Sequence, residues 1–463
     1  MFSLVSEMIA AAEPSCPGGI KSLCLGSIDK YWWGIVLEVV LYLFSMICLQ
    51  TIARNFLISS LEVLCVKVGL KEDVAGATFM AFGSSISVML ISFITIYHGG
   101  DYIDLGIGSV VGAGFFCSLI IPAVCAMVSA KPIEIRRDIF VRDLVFYLLC
   151  LVGLIIFIAD KTLYAMEGLY LLVVYIGYII YIVLVPKVQK TFRSRQAGND
   201  AVNNASLLTS AFEEEEDAAY APIDDLPDVN PDIAVEEAVN PAEAPAPARG
   251  SVMKTVTEPI AKGYNMVFVA PVEWLFNHLI PKCSIGTRFE YLFPITMVES
   301  LLFIFLITFV TSAVCQRWQK LLEGVGFSAN IGTVIGMLLV AFVLCMPDMK
   351  YDLEMTRKGH GYAAVNNAFS SQVMVMSLGF GLPVMIYGFA THEGLAVPSY
   401  KLVIQSVIML SCAVIVFILM SLVPSIISKD KNCKLDDLRG KILGGITFIL
   451  IIVFFVLSLK RQL

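Results

Sequence analysis

Val334-Ile-Gly-Met-Leu-Leu-Val-Ala-Phe-Val-Leu-Cys-Met346 is uninterrupted apolar sequence, and Pro347-Asp348 follows it directly. A carboxylate at the end of such a run is costly inside a membrane, so a functional role is the first expectation. The proline removes one N–H from the helical ladder just ahead of the carboxylate, leaving backbone carbonyls that a cation could use. The competing reading is a helix that simply ends at Met346, with Asp348 as a solvated cap.

The rest of the chain makes the setting a bilayer. Of its 463 residues 58% are hydrophobic and 15% charged, with mean hydropathy +0.81, far more apolar than a soluble domain. Several runs reach the roughly 20 apolar residues that span a membrane. The chain therefore reads as an all-α polytopic membrane protein. Its net charge of −7 says little about partners, because the acid is concentrated in one segment. Among 12 cysteines there is no C-x-x-C spacing. Most, including Cys48, Cys117, Cys125, Cys150, Cys345 and Cys412, lie in apolar runs, where they act as small hydrophobes. Cys16 and Cys24 precede the first span and could pair on an oxidising side. Met1 to Ala12 lacks a basic stretch, so a cleaved signal peptide is not expected. No nucleophile–base pair or P-loop points to an enzyme, and nothing points to nucleic acid or a resident cofactor.

In order, residues 1–32 form an N-terminal segment and 33–186 a first membrane half. Its expected spans are Trp33 to Ile52, Val74 to Tyr97, Ile103 to Met127, Val141 to Ala159 and Leu169 to Val185. The second span opens with small and hydroxyl residues, Val74-Ala-Gly-Ala-Thr-Phe-Met-Ala-Phe-Gly-Ser-Ser85, which suit close helix packing. The third is glycine-laden. Residues 187–262 contain Glu213-Glu-Glu-Glu-Asp217 and then mostly Pro, Ala, Asp and Glu, the composition of a disordered loop. Val267 to Ile280 is amphipathic and suits a membrane interface. The second half, 263–463, offers Pro294 to Cys315, Ile331 to Met346 with its polar extension, Val373 to Phe389, Leu402 to Ile427 and Ile442 to Leu459. About ten helices in two groups of five imply an internal duplication, and an odd number per half requires the halves to be inverted.

Basic residues cluster after odd-numbered spans. Arg54, Lys67 and Lys71 follow the first, Lys131, Arg136 and Arg137 the third, and Lys187, Lys190, Arg193 and Arg195 the fifth. Lys350, Arg357 and Lys358 follow the seventh, and Lys429, Lys431, Lys434 and Arg439 the ninth. By the positive-inside rule the N-terminus is outside and the acidic loop cytosolic. Arg317 and Lys320 depart from the pattern. Which membrane houses the chain is left open between the plasma membrane and an organelle.

Ser60-Leu-Glu-Val63, Glu72-Asp-Val-Ala-Gly-Ala-Thr-Phe-Met-Ala81 and Gly83-Ser-Ser85 closely resemble the first α-repeat of potassium-dependent sodium/calcium exchangers. So does Asp104-Leu-Gly-Ile-Gly108 with Val111-Gly112. The matching repeat is Pro347-Asp348, Arg357-Lys-Gly359, Gly361, Ala364-Val365, Ser371 and Gly379-Phe-Gly-Leu-Pro383. Weaker echoes, Arg142-Asp143 before span four and Glu167 before span five, extend the likeness over most of the chain. On these motifs, about 74–127 and about 331–389, the chain resembles the calcium/cation antiporter superfamily. The resemblance implies a ten-helix fold of two inverted halves whose acidic motifs meet at mid-membrane and bind calcium and sodium alternately. Calcium wants six to eight oxygen ligands, which kinked helices carrying carboxylates and hydroxyls can supply.

The chain departs from the family at the ligands themselves. Family Gly-Ser-Ser-Ala-Pro-Glu is Gly83-Ser-Ser-Ile-Ser-Val88 here, so the kinking proline is Ser87 and the glutamate is Val88. A span-three asparagine is Cys117. Gly-Thr-Ser-Ile-Pro-Asp is Val343-Leu-Cys-Met-Pro-Asp348, and Gly-Ser-Asn…Phe-Asp is Ser370-Ser-Gln-Val-Met-Val375, which removes the aspartate linked to potassium dependence. Two lost carboxylates weaken any calcium site, since the desolvation penalty is several kcal/mol per ion. Span two, without its Pro-Glu pair, is expected to be less broken than usual. Asp352, four residues after Asp348, shares its helical face and could lend a second carboxylate; the competing reading makes Lys350 to Gly361 a cytosolic loop, with Lys350 and Glu354 solvated. Thr78, Ser84, Ser85 and Ser371 complete the expected cation site around Asp348 and Asp352. The expected activity is a secondary cation antiporter with altered coupling, its cargo calcium and sodium, with potassium or protons open. The rival is a non-transporting homologue serving as a subunit of a membrane complex. Expected partners are the lipid bilayer and inorganic cations, with a membrane-protein partner or a homo-oligomer left open.

Overall fold

In lipid, each backbone N–H and C=O must be bonded within the protein, so apolar runs of this length fold as helices. A computed structural model describes residues 32–69, 76–98, 102–129, 131–184, 265–283, 289–324, 331–427 and 432–462. Outside the described residues lie Cys16 and Cys24, Glu72 to Ala75, the acidic segment at 187–262, and the basic residues Lys71, Lys187 to Arg195, Lys429 and Lys431. One unit comprises Met1–Ile179 and Val252–Leu463 and holds everything discussed below; Ile180–Ser251 is a separate unit, nearly all outside the described residues.

Among the described residues, 8 helices are long and apolar enough to cross a membrane, or 9 when the bent pair Ile331–Leu344 and Met346–Arg357 is one span. The tenth expected span corresponds to Asp437–Gln462, a helix of 26 residues. Its opening carries Asp437, Arg439 and Lys441. The protein is a multi-pass integral membrane protein.

Several spans are longer than their apolar runs. Span one continues through the π-helical turn Ala53–Ile58 into Ser59–Val68, so Arg54 lies within a helix instead of a loop. It pairs there with Glu354. Span six is the 32-residue helix Phe293–Gly324, which removes the two exceptions in the charge pattern. Arg317 is buried and its Nε lies 2.8 Å from Glu38 Oε1, while the Lys320 ammonium sits over the Tyr102 ring at 5.0 Å. Neither is a loop charge. Lys350 to Arg357 is likewise helix, Met346–Arg357, and only the turn at Lys358–Gly359 breaks it. The expectation of a solvated loop fails because the residues after Pro347 pack against neighbouring helices. Arg142 and Asp143 lie inside span four, Arg137–Ala159, not before it.

Short strands add what an all-α reading omits. β1 (Ile133–Arg136) pairs antiparallel with β4 (Asn432–Leu435), Ile133 opposite Leu435. β2 (Thr162–Leu163) pairs with β3 (Leu395–Ala396). β1 lies between spans three and four and β3 between eight and nine; β2 lies between four and five and β4 between nine and ten. Carrying each span to its counterpart five places on takes β1 to β3 and β2 to β4, and so exchanges the two ribbons. Strands after an odd and an even span sit on opposite membrane faces. The halves are therefore inverted, as the odd count per half requires.

The same symmetry appears in π-helical turns: Gly76–Met80 in span two and Gly336–Val340 in span seven, Phe116–Ile120 in span three and Val375–Gly381 in span eight. Such turns concentrate at functional sites. Span two runs from Gly76–Met80 straight into Ala81–His98, as the loss of its proline leads one to expect. Span seven keeps its proline and bends by 44°.

Spans three and seven touch backbone to backbone. A methyl added at Gly108 would lie 2.5 Å from the Thr333 carbonyl oxygen; one at Gly112 would meet the Met337 carbonyl, and one at Gly336 the Leu105 carbonyl. Small residues at that spacing let helices approach where lipid offers no hydrophobic drive. Alanine at Gly108 should raise helix propensity by about 1 kcal/mol, yet the clash with rigid backbone costs about 1–3 kcal/mol. We expect Gly108→Ala to lower the thermal midpoint in detergent. Gly445→Ala, where nothing lies within 4 Å of the new methyl, should leave it equal or higher.

Candidate cation site

Asp348 occupies the first turn of Met346–Arg357, with Pro347 beside it at the helix start. Proline suits that position, because its missing N–H would be unpaired there anyway. The side chain is 1% exposed. Ser85 Oγ of span two donates to Asp348 Oδ2 at 3.4 Å, and Cys117 Sγ of span three donates to the same oxygen at 3.6 Å. The neighbouring Ser84 Oγ donates to the Ala81 carbonyl at 3.3 Å. Asp348 Oδ1 is buried with no hydrogen-bond partner. The contact joins residues 263 apart in sequence and brings the two repeats together.

Asp352 follows one helical turn later and is fully buried. Span eight begins at Gly361 and runs to Thr391, earlier than its apolar run; its Asn367 Nδ2 donates to Asp352 Oδ1 at 3.0 Å, while Oδ2 has no partner. Among the described residues, the ion pairs engage other carboxylates and leave both of these without a cationic side chain. Each of these two buried carboxylates has one bare oxygen, and the charge of each needs a bound cation or a proton.

The other expected residues are not all drawn in. Ser371 is buried, and its Oγ turns back to the Ala368 carbonyl at 3.2 Å. Thr78 is half-buried at the π-helical start of span two. Val88, one turn beyond Ser84 and Ser85, and Val375, one turn beyond Ser371, are buried at 1% and 0% exposure, so neither position adds a ligand. Gln372 is fully buried with both amide atoms unpartnered.

Two residues at the site escaped the sequence reading. Asn367 orients Asp352, and nothing in the sequence pairs them before the turn at Gly359 is known. Cys345 lies at the bend itself, where it reads as one more apolar residue. With Cys117 and Asp348 it forms a buried group whose ligand atoms all lie within 4.8 Å of one another.

Asp104 serves the scaffold. At the start of span three it accepts the Ser399 N–H at 3.2 Å and the Ser399 Oγ–H at 2.6 Å, capping the start of span nine from the other half.

The chain matches the family described as sodium/calcium exchanger protein over residues 38–184 and 300–460. It is 32% identical over 199 residues to sodium/potassium/calcium exchanger 4 of Mus musculus, a stretch covering 42% of this chain but only 31% of the relative. Against sodium/potassium/calcium exchanger 4 of Homo sapiens the identity is 24% over 460 residues, covering 77% of this chain and 71% of the relative. A crystal structure of the H+/Ca2+ exchanger CAX superposes with TM-score 0.54 at 12% identity, covering 94% of this chain and 91% of that one. At that identity the likeness is one of fold.

Proposed function

The chain belongs to the sodium/calcium exchanger family, and from that premise we propose that it is a secondary active cation antiporter working by alternating access. The observation that carries the reading is the Asp348 carboxylate, buried at the bend of span seven and met by Ser85 and Cys117 from the opposite repeat. A non-transporting subunit has no need of a bare buried carboxylate oxygen between two inverted repeats, because such a group only destabilises a scaffold. Calcium or sodium is the cargo to test first, in keeping with the names of the curated relatives. Coordination of calcium is weakened, since Val88 and Val375 stand where hard oxygen ligands would be needed. Val375 in place of a carboxylate also favours exchange that does not require potassium.

The test is flux in lipid vesicles carrying the purified full chain. An imposed sodium gradient should drive calcium in the opposite direction faster than in protein-free vesicles, with or without potassium. Flux equal to the protein-free rate under sodium, potassium and proton gradients alike would overturn the antiporter reading in favour of the subunit one.

A further inference from the structure

Cys117, Cys345 and Asp348 bring two sulfurs and a carboxylate oxygen to one buried point from spans three and seven. We infer that this group is a binding site for a soft or borderline divalent cation of the zinc and cadmium class, so that the antiporter's central site takes such metals in preference to calcium. The inference rests on the reading of that site as the transport site and names its cation class.

The geometry already approaches a metal's coordination shell. A tetrahedral ion holding sulfur at about 2.3 Å and oxygen at about 2.0 Å separates those two ligands by about 3.5 Å. Cys117 Sγ and Asp348 Oδ2 are 3.6 Å apart. The widest separation in the group is under 4.8 Å, whereas two thiolates on one ion lie about 3.8 Å apart, so a shift of about 1 Å closes the triangle. Independently, Asp348 Oδ1 is fully buried and has no partner; a ligand on this carboxylate would end that exposure to an apolar interior. Both cysteines are buried and neither is in a disulfide.

Ligand chemistry separates the metals. Calcium and magnesium bind oxygen and gain little from sulfur, whereas thiolate selects zinc, cadmium and cuprous copper. The valines at 88 and 375 withhold the extra oxygens that calcium's six to eight ligands require, but three protein ligands and one open position suffice for a tetrahedral ion. On binding, each thiol loses its proton to water, and the Asp348 carboxyl gives up whatever proton it carries before the ion binds. The divalent ion with two thiolates and one carboxylate then carries one net negative charge, and two protons leave from the thiols alone. The Ser85 hydroxyl, which already reaches Asp348 Oδ2, lies beside the group.

The test uses the full chain, purified with chelator, returned to lipid discs and titrated with cadmium alone. Wild type should develop the ultraviolet charge-transfer band of cadmium thiolate, saturating at one equivalent, and millimolar calcium should not remove it. Cys117→Ser and Cys345→Ser should each weaken cadmium binding about tenfold or more, whereas Cys412→Ser, at an exposed cysteine, should not. X-ray absorption at the cadmium edge of wild type, which needs no variant to fold, should place two sulfurs in the first shell. A wild-type shell without sulfur, or a band unchanged in the double serine variant, overturns the inference. A chain that binds cadmium through two sulfurs yet moves no ion sinks the antiporter reading and leaves this site standing. One that exchanges calcium without sulfur-bound cadmium does the reverse.

Discussion

Asp348→Asn brings ion-driven flux down to the rate of protein-free vesicles while the protein still folds. Asparagine matches the carboxylate in size and can keep the contacts from Ser85 and Cys117, both of which reach Oδ2. What it loses is the charge, and with it the main attraction for a cation in a site that Val88 and Val375 leave poor in ligands. Apparent ion affinity should fall at least a hundredfold, about 2.8 kcal/mol. Stability in chelator should move the other way. A fully buried carboxylate with one bare oxygen is costly without its counter-ion, so the neutral variant should melt at the same temperature or higher, and any stabilisation by added ion, which follows mass action, should vanish. Equal flux from wild type and variant would remove Asp348 from the site. Asp352→Asn provides the contrast. It keeps an oxygen able to accept from Asn367, and it should reduce flux less.

Chemistry at this site was partly written in the one-dimensional pattern. The spacing of Asp348 and Asp352 places them on one helical face in any helix, and both are buried on Met346–Arg357. Their setting was less visible. Whether residues after a proline continue as helix depends on what packs against them; Lys350 and Glu354 read as loop charges in the sequence, whereas Glu354 pairs with Arg54 of span one. The Ser85 contact spans 263 positions, which no local periodicity can reveal; only the resemblance between repeats suggested it. Ser371 shows the converse. Its position in the motif pointed to the site, but a helical serine can satisfy itself on the preceding turn, and it does so at Ala368. The inverted halves were legible from the odd number of spans, while the ribbons that exchange under that inversion involve strands of two and four residues, too short to leave a periodic trace.

Arg317→Met should destabilise the protein strongly. Glu38 is 4% exposed in span one and Arg317 9% exposed in span six, and Arg317 Nε lies 2.8 Å from Glu38 Oε1. The Trp318 indole N–H donates to Glu38 Oε2 at 2.9 Å, and its ring packs on Tyr42 at 5.2 Å. Tyr42 in turn donates its hydroxyl to the Leu339 carbonyl at 2.6 Å, which ties this polar cluster to span seven. Removing the guanidinium leaves the glutamate charge buried with the neutral indole donor, and breaking such a pair costs about 3–5 kcal/mol. The cost belongs to the orphaned charge and not to the loss of an attractive bond, so a second change should reverse it. Glu38→Gln in the same chain removes the charge while keeping the acceptor for Trp318, and the double variant should recover most of the lost thermal midpoint. Failure of that rescue would mean that Arg317 acts through packing of its stem. Success would explain why one arginine stands against the charge pattern of the whole chain: its partner lies inside the bundle, so the rule for loop charges does not apply to it.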